Sequence, residues 1–93
     1  MVKHVVMWKF DAEGAAETAR GALEGLRGRI PSLLSLETGL DVSGGPSAFH
    51  LVLITTHADR EALAEYQDDP AHGEVKRLIG GLRAERAAVD FEA

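Results

Sequence analysis

From Val2 to Phe10 the chain alternates. Val2, His4, Val6, Trp8 and Phe10 fall on one face, and Lys3, Val5, Met7 and Lys9 on the other, which predicts a strand. The first face is apolar except for one histidine. Over 15–30 the period changes to that of a helix. Ala19, Ala22, Leu23, Leu26 and Ile30 form an apolar stripe, with Gly21, Gly25 and Gly28 opposite it and Pro31 as the stop. The glycine side is either a solvent-facing surface or a place where another backbone comes close. Alternation returns over 33–42, with Leu34, Leu36, Thr38, Leu40 and Val42 on one face, predicting a second strand. The segment 43–47, "SGGPS", is a turn by composition. Residues 48–56, "AFHLVLITT", are apolar on both faces and predict a central third strand.

A short helix is expected over 58–67, with Asp59 as N-cap and Glu61 and Glu65 on its early turn and solvent side. Pro70 stops it and suits the first turn of a further helical piece, in which Val75, Leu78, Ile79 and Leu82 recur at helical spacing. Residues 87–91 predict a last short strand. The order is βαββαβ with the second helix broken. This is the α+β, ferredoxin-like arrangement, a four-stranded antiparallel sheet with helices on one face. Two helices cover only one face. The strands are not half polar, so a second copy of the chain is the expected cover.

Composition narrows the function. The 93 residues make one domain, 1–93. Acidic residues outnumber basic ones 15 to 10, which argues against nucleic acid or an anionic membrane as partner. No apolar run approaches a membrane span. Nor does the N-terminal stretch have the pattern of a signal peptide. There is no cysteine, so disulfides and thiolate metal sites are excluded, which suits a cytoplasmic location. "SGGPS" is not a phosphate loop, and the histidine spacings do not make a metal site. No cofactor is expected.

The candidate chemistry lies in "EYQDDPAH", 65–72. The break at Asp69–Pro70 allows Tyr66 and His72 to face one cavity, where imidazole and phenol form a workable acid–base pair. The plainer alternative is a tyrosine packed by its ring and a histidine that merely begins a helix. His4 is either a hydrogen-bonded core histidine or a polar group placed in an apolar pocket. Trp8 reads as core or interface. His57 reads as a surface residue at the start of a helix.

Four stretches together, "HVVMWKF", "IPSLLSLETGLDVS", "EALAEYQDDPAH" and "VDFE", resemble the stress-responsive dimeric A/B barrel (Dabb) family over nearly the whole chain. The spacing of the tyrosine from Pro-Ala-His is the most specific part. The resemblance implies a homodimer whose sheets close into an α/β barrel, with a small apolar or polyketide-like molecule bound in a barrel cavity. It extends to the plant olivetolic acid cyclase, a cofactor-free polyketide cyclase. By that likeness His72 would be the general base, Tyr66 would hydrogen-bond a carbonyl or thioester oxygen, Asp90 would orient His72, and His4 would match a histidine of the first strand. The chain departs from the cyclase at Phe49-His50-Leu51, at Ala19, Arg20 and Leu23, and at Asp69, so its pocket differs. Two rival readings stand beside cyclase- or lyase-type chemistry. One is a non-enzymatic, stress-associated dimer. The other is a cofactor-free monooxygenase on the same barrel architecture.

Overall fold

A computed structural model describes all residues from 1 to 93. The elements in chain order are β1 (Val2–Phe10), α1 (Ala15–Glu24), β2 (Ser35–Leu40), β3 (Leu51–His57), α2 (Arg60–Asp68), α3 (Pro70–Leu82) and β4 (Arg83–Glu92). The strands form one antiparallel sheet in the order β2-β3-β1-β4. The ferredoxin-like arrangement read from the sequence is the one observed, with the broken second helix resolved into α2 and α3.

The alternation in β1 sets the layering. Val2, His4, Val6, Trp8 and Phe10 are all buried under the helices. On β3 the same side carries Leu51, Leu53, Thr55 and His57, also buried. Ala19 and Leu23 of α1, with Leu26 and Ile30 beyond it, fill the layer between. Full burial of each of the larger side chains contributes roughly 1.5–3 kcal/mol. The opposite face of the sheet has no cover. Val5, Val52 and Ile54 are only half-buried there, and Met7, Val89 and Phe91 are exposed.

The second strand spans 35–40 rather than 33–42, leaving Val42 fully exposed, and the third spans 51–57 rather than 48–56. Three further expectations change. The first helix ends at Glu24 rather than Ile30. Beyond it, Leu26, Arg27 and Arg29 donate their N–H groups to carbonyls only three residues back. Gly28 takes a left-handed φ of 78°, which a residue with a Cβ resists. A Cβ at Gly21 or Gly28 would meet nothing within 4 Å, and one at Gly25 only the carbonyls of Ala22 and Gly21 in its own turn, so within this chain the glycine side of the segment faces solvent. The last strand runs ten residues, Arg83–Glu92, because α3 passes into it without a loop and β1 offers a partner along its length. His57 is not a surface residue. It closes β3 and is completely buried, since alternation from Leu51 puts it on the helix side.

Candidate functional site

The site is organised by one break. Asp69 has extended backbone, φ −64° and ψ 134°. Its N–H donates to the Tyr66 carbonyl at 3.2 Å, and its carboxylate accepts from Ala71 N–H at 2.8 Å. It therefore closes α2 and caps α3 at once, with Pro70 in the first turn where no N–H is needed. Capping has a side effect. Ala71 N–H, the ordinary helical partner of the Gln67 carbonyl, is diverted to Asp69. The Gln67 oxygen is left as an orphan of the helix end, and His72 Nδ1 takes it at 3.1 Å.

That bond fixes the tautomer. A carbonyl only accepts, so the proton sits on Nδ1 and Nε2 keeps its lone pair. Burial pushes the imidazole below its ordinary pKa. The Gln67 carbonyl opposes this, the positive potential of His4 and Lys76 adds to it, and Asp69 works against it. The neutral form with a free Nε2 is the form a general base requires.

Tyr66 and His72 are brought together, with ring centroids 4.6 Å apart. Tyr66 is fully buried and packs against two further histidines. His57 is tilted on it at 4.9 Å, and His4 stands edge-on at 6.3 Å. Burial pushes the phenol up to about 12, so it stays protonated near neutral pH. Its hydroxyl is the one buried side-chain polar atom with no hydrogen-bond partner. An orphan of this kind costs about 1–3 kcal/mol.

Asp90 is not placed as the cyclase likeness implies. The β1–β4 register sets His4 directly opposite Asp90, so Nδ1 of His4 donates to the Asp90 carboxylate and His72 relies on Gln67 instead. The orienting partner of His72 is a backbone carbonyl, and Asp90 orients His4.

His4 and His72 line a cavity of about 600 Å³, within the range of small-molecule sites. Tyr66 is fully buried behind the His72 ring and does not line it, so of the two residues expected to face one cavity only His72 does. It lies between α3 and the β1–β4 side of the sheet. That is the helix side of the sheet, opposite its uncovered face. Nor is the lining purely apolar. Val6, Trp8, Leu23 and Leu53 form its floor, and Lys76, Arg77, Arg83 and Arg86 stand among its walls. These cations were missed in the sequence. Only Lys76, four residues after His72 on α3, shares a helical stripe with it; Arg83 and Arg86 belong to β4. His50 lies elsewhere and accepts from Phe10 N–H at 3.0 Å. No group of three or more His, Asp or Glu side chains is arranged to hold a metal ion. No helix is long and apolar enough to cross a membrane.

Comparison with known proteins places the fold. A dimeric ferredoxin-like protein of unknown function from Thermobifida fusca superposes with a TM-score of 0.87 at 22% identity, covering 99% of this chain and 90% of that one. A protein of Arabidopsis thaliana gives 0.83 at 26% identity, with 100% and 95% covered. A hydroxynitrile lyase from Passiflora edulis gives 0.81 at 13% identity, with 97% and 90% covered, and is a likeness of fold alone. A search of curated proteins finds no sequence match. The model of the Stress Responsive A/B Barrel Domain matches residues 2–93, so the chain belongs to that family.

Proposed function

We propose that the protein is a homodimer that binds a small carbonyl-bearing molecule in the cavity beside α3 and carries out acid–base chemistry on it, of the cyclase or lyase type. The observation that carries this reading is the hydrogen bonding of His72. Its Nδ1 is held by the Gln67 carbonyl, which leaves the Nε2 lone pair free on a residue that lines the cavity.

A carbon flanked by two carbonyls is acidic enough for imidazole to deprotonate. His72 takes that proton on Nε2, and the charge moves to the carbonyl oxygen. The Tyr66 hydroxyl, without a partner in the fold but buried behind the cavity lining, must turn toward the cavity to supply the hydrogen bond that an enolate oxygen demands. The enolate carbon then attacks a second carbonyl of the same molecule to form the carbon–carbon bond, and the imidazolium gives its proton to the alkoxide that results. His4, held by Asp90, is the second group able to move a proton there. Cyclisation of a linear poly-β-ketone, as the likeness to olivetolic acid cyclase implies, fits this scheme.

Mass spectrometry of reactions with a panel of poly-β-ketone thioesters and phenolic acids tests the reading. Product is expected with the unmodified protein and none with His72→Ala. Equal turnover by both would reject it.

The dimer rests on the open sheet face. Val5, Val52, Ile54, Val89 and Phe91 present one apolar surface, and a second copy buries it as obligate interfaces do. Sedimentation at micromolar concentration is expected to give twice the chain mass of 10.0 kDa. A stable monomer would end the idea, and Val89→Glu is expected to produce one.

A further inference from the structure

The chain is acidic overall, yet the cavity is not. Four of its ten Lys and Arg side chains line this one space, against a single lining carboxylate, Asp68. They come from two sides. Lys76 and Arg77 belong to α3, Arg83 stands at the junction with β4, and Arg86 lies on β4 opposite Trp8. None of the four forms an ion pair, although acidic residues are in excess. Glu74, beside them on α3, stays out of ion pairs, and Glu85 is turned to the other sheet face, where it meets Lys9. Like charges gathered without counter-ions repel one another, and fold stability gains nothing from the arrangement.

The cluster also has a place relative to the imidazoles. Along β1, Trp8 marks the Arg86 end and His4 the Asp90 end. Four strand steps separate them, roughly 13 Å. Val6 lies between on the same buried face. The cavity is thus an apolar trough with Arg83 and Arg86 at its Phe10–Trp8 end and His4 at the other, while Lys76 and Arg77 stand along its α3 wall between His72 and Arg83.

We infer that the ligand of this cavity is an elongated anion, a carboxylate or phosphate joined by an apolar stretch to its reactive end, and that Lys76, Arg77, Arg83 and Arg86 bind the anionic group. Arginine suits such groups because its planar fork meets two oxygens at once. The inference rests on the reading of the cavity as a ligand site and adds to it the class of ligand.

Trp8 is the only tryptophan in the chain and lines the cavity, so its fluorescence reports occupancy. The unmodified protein, Arg83→Gln/Arg86→Gln and Lys76→Gln/Arg77→Gln are titrated with decanoate, decyl phosphate and decanol. The anions are expected to bind the unmodified protein on the order of tenfold or more tighter than the alcohol, the scale of a charge-assisted contact. Each double variant should narrow that gap, as should added salt. The tighter of the two anions identifies the head group as carboxylate or phosphate. Equal binding of alcohol and anions, no binding of any probe, or a gap that survives in both variants would overturn the inference. Circular dichroism checks that the variants fold. His72→Ala separates the two claims. It is expected to keep anion binding while losing turnover, so anion binding without turnover in the unmodified protein would count against the acid–base chemistry alone.

Discussion

Tyr66 lies between two imidazoles that differ in one respect. His57 packs on it at 4.9 Å and His72 at 4.6 Å. His57 has both nitrogens engaged. Its Nδ1 donates to the Ser32 carbonyl at 2.8 Å, and its Nε2 accepts from the Thr55 hydroxyl at 2.9 Å. His72 has one nitrogen engaged, Nδ1 on the Gln67 carbonyl, and Nε2 has no partner in the fold. A polar group whose hydrogen bonds close within the fold adds rigidity, and one left with an open valence is available to a ligand. Proximity to the tyrosine does not separate the two residues, but the hydrogen-bond inventory does.

The sharpest way to break this contrast is removal. His57→Ala takes away a fully buried ring and orphans both partners, so it is expected to cost about 3 kcal/mol in urea unfolding. A loss below ~1 kcal/mol would mean that His57 is not the structural member. Thr55→Val is nearly isosteric and deprives His57 Nε2 of its donor. The expected cost is about 1–2 kcal/mol, and a neutral outcome would place water or another donor at that nitrogen. His72→Ala loses no closed buried network and is expected to stay within ~1 kcal/mol of the unmodified protein. Unfolding of that variant would move His72 to the structural side.

The smallest effect is in pH. Burial is the main cause that lowers both histidines from their ordinary 6.5. Above that value neither form of the chain protonates them, so nothing is lost. As pH falls below it the unfolded chain takes up protons that the fold resists, and stability drops. His72→Gln is expected to shallow that acid slope and leave the part due to His57. An unchanged slope would show that the His72 imidazole titrates alike in both states.

The sequence carried the element order well, because periods of two and of 3.6 alternate cleanly and Asp59, Asp69 and Pro70 mark the helix ends. It carried less where neighbours decide. Leu26 and Ile30 continue the apolar stripe of α1, yet the backbone between them turns at Gly28. His57 begins the polar-looking run "HADR", and only the strand parity counted from Leu51 reveals its burial. The pairing of His4 with Asp90 joins residues 86 positions apart. It follows from the register of β1 on β4, which no local pattern encodes. The four cations were visible singly, but their common wall exists only once α3 runs directly into β4.

The double role of Asp69 leaves no slack between α2 and α3. One extra residue between Tyr66 and His72 would turn the imidazole by roughly 100° about the axis of α3. It would also undo the capture of the Gln67 carbonyl. The cavity walls tolerate exchange of one side chain for another, whereas this interval tolerates neither insertion nor deletion. Across descendants of this chain, the six-residue step from Tyr66 to His72 should therefore stay constant in length even where the cavity lining has been rewritten for a different ligand.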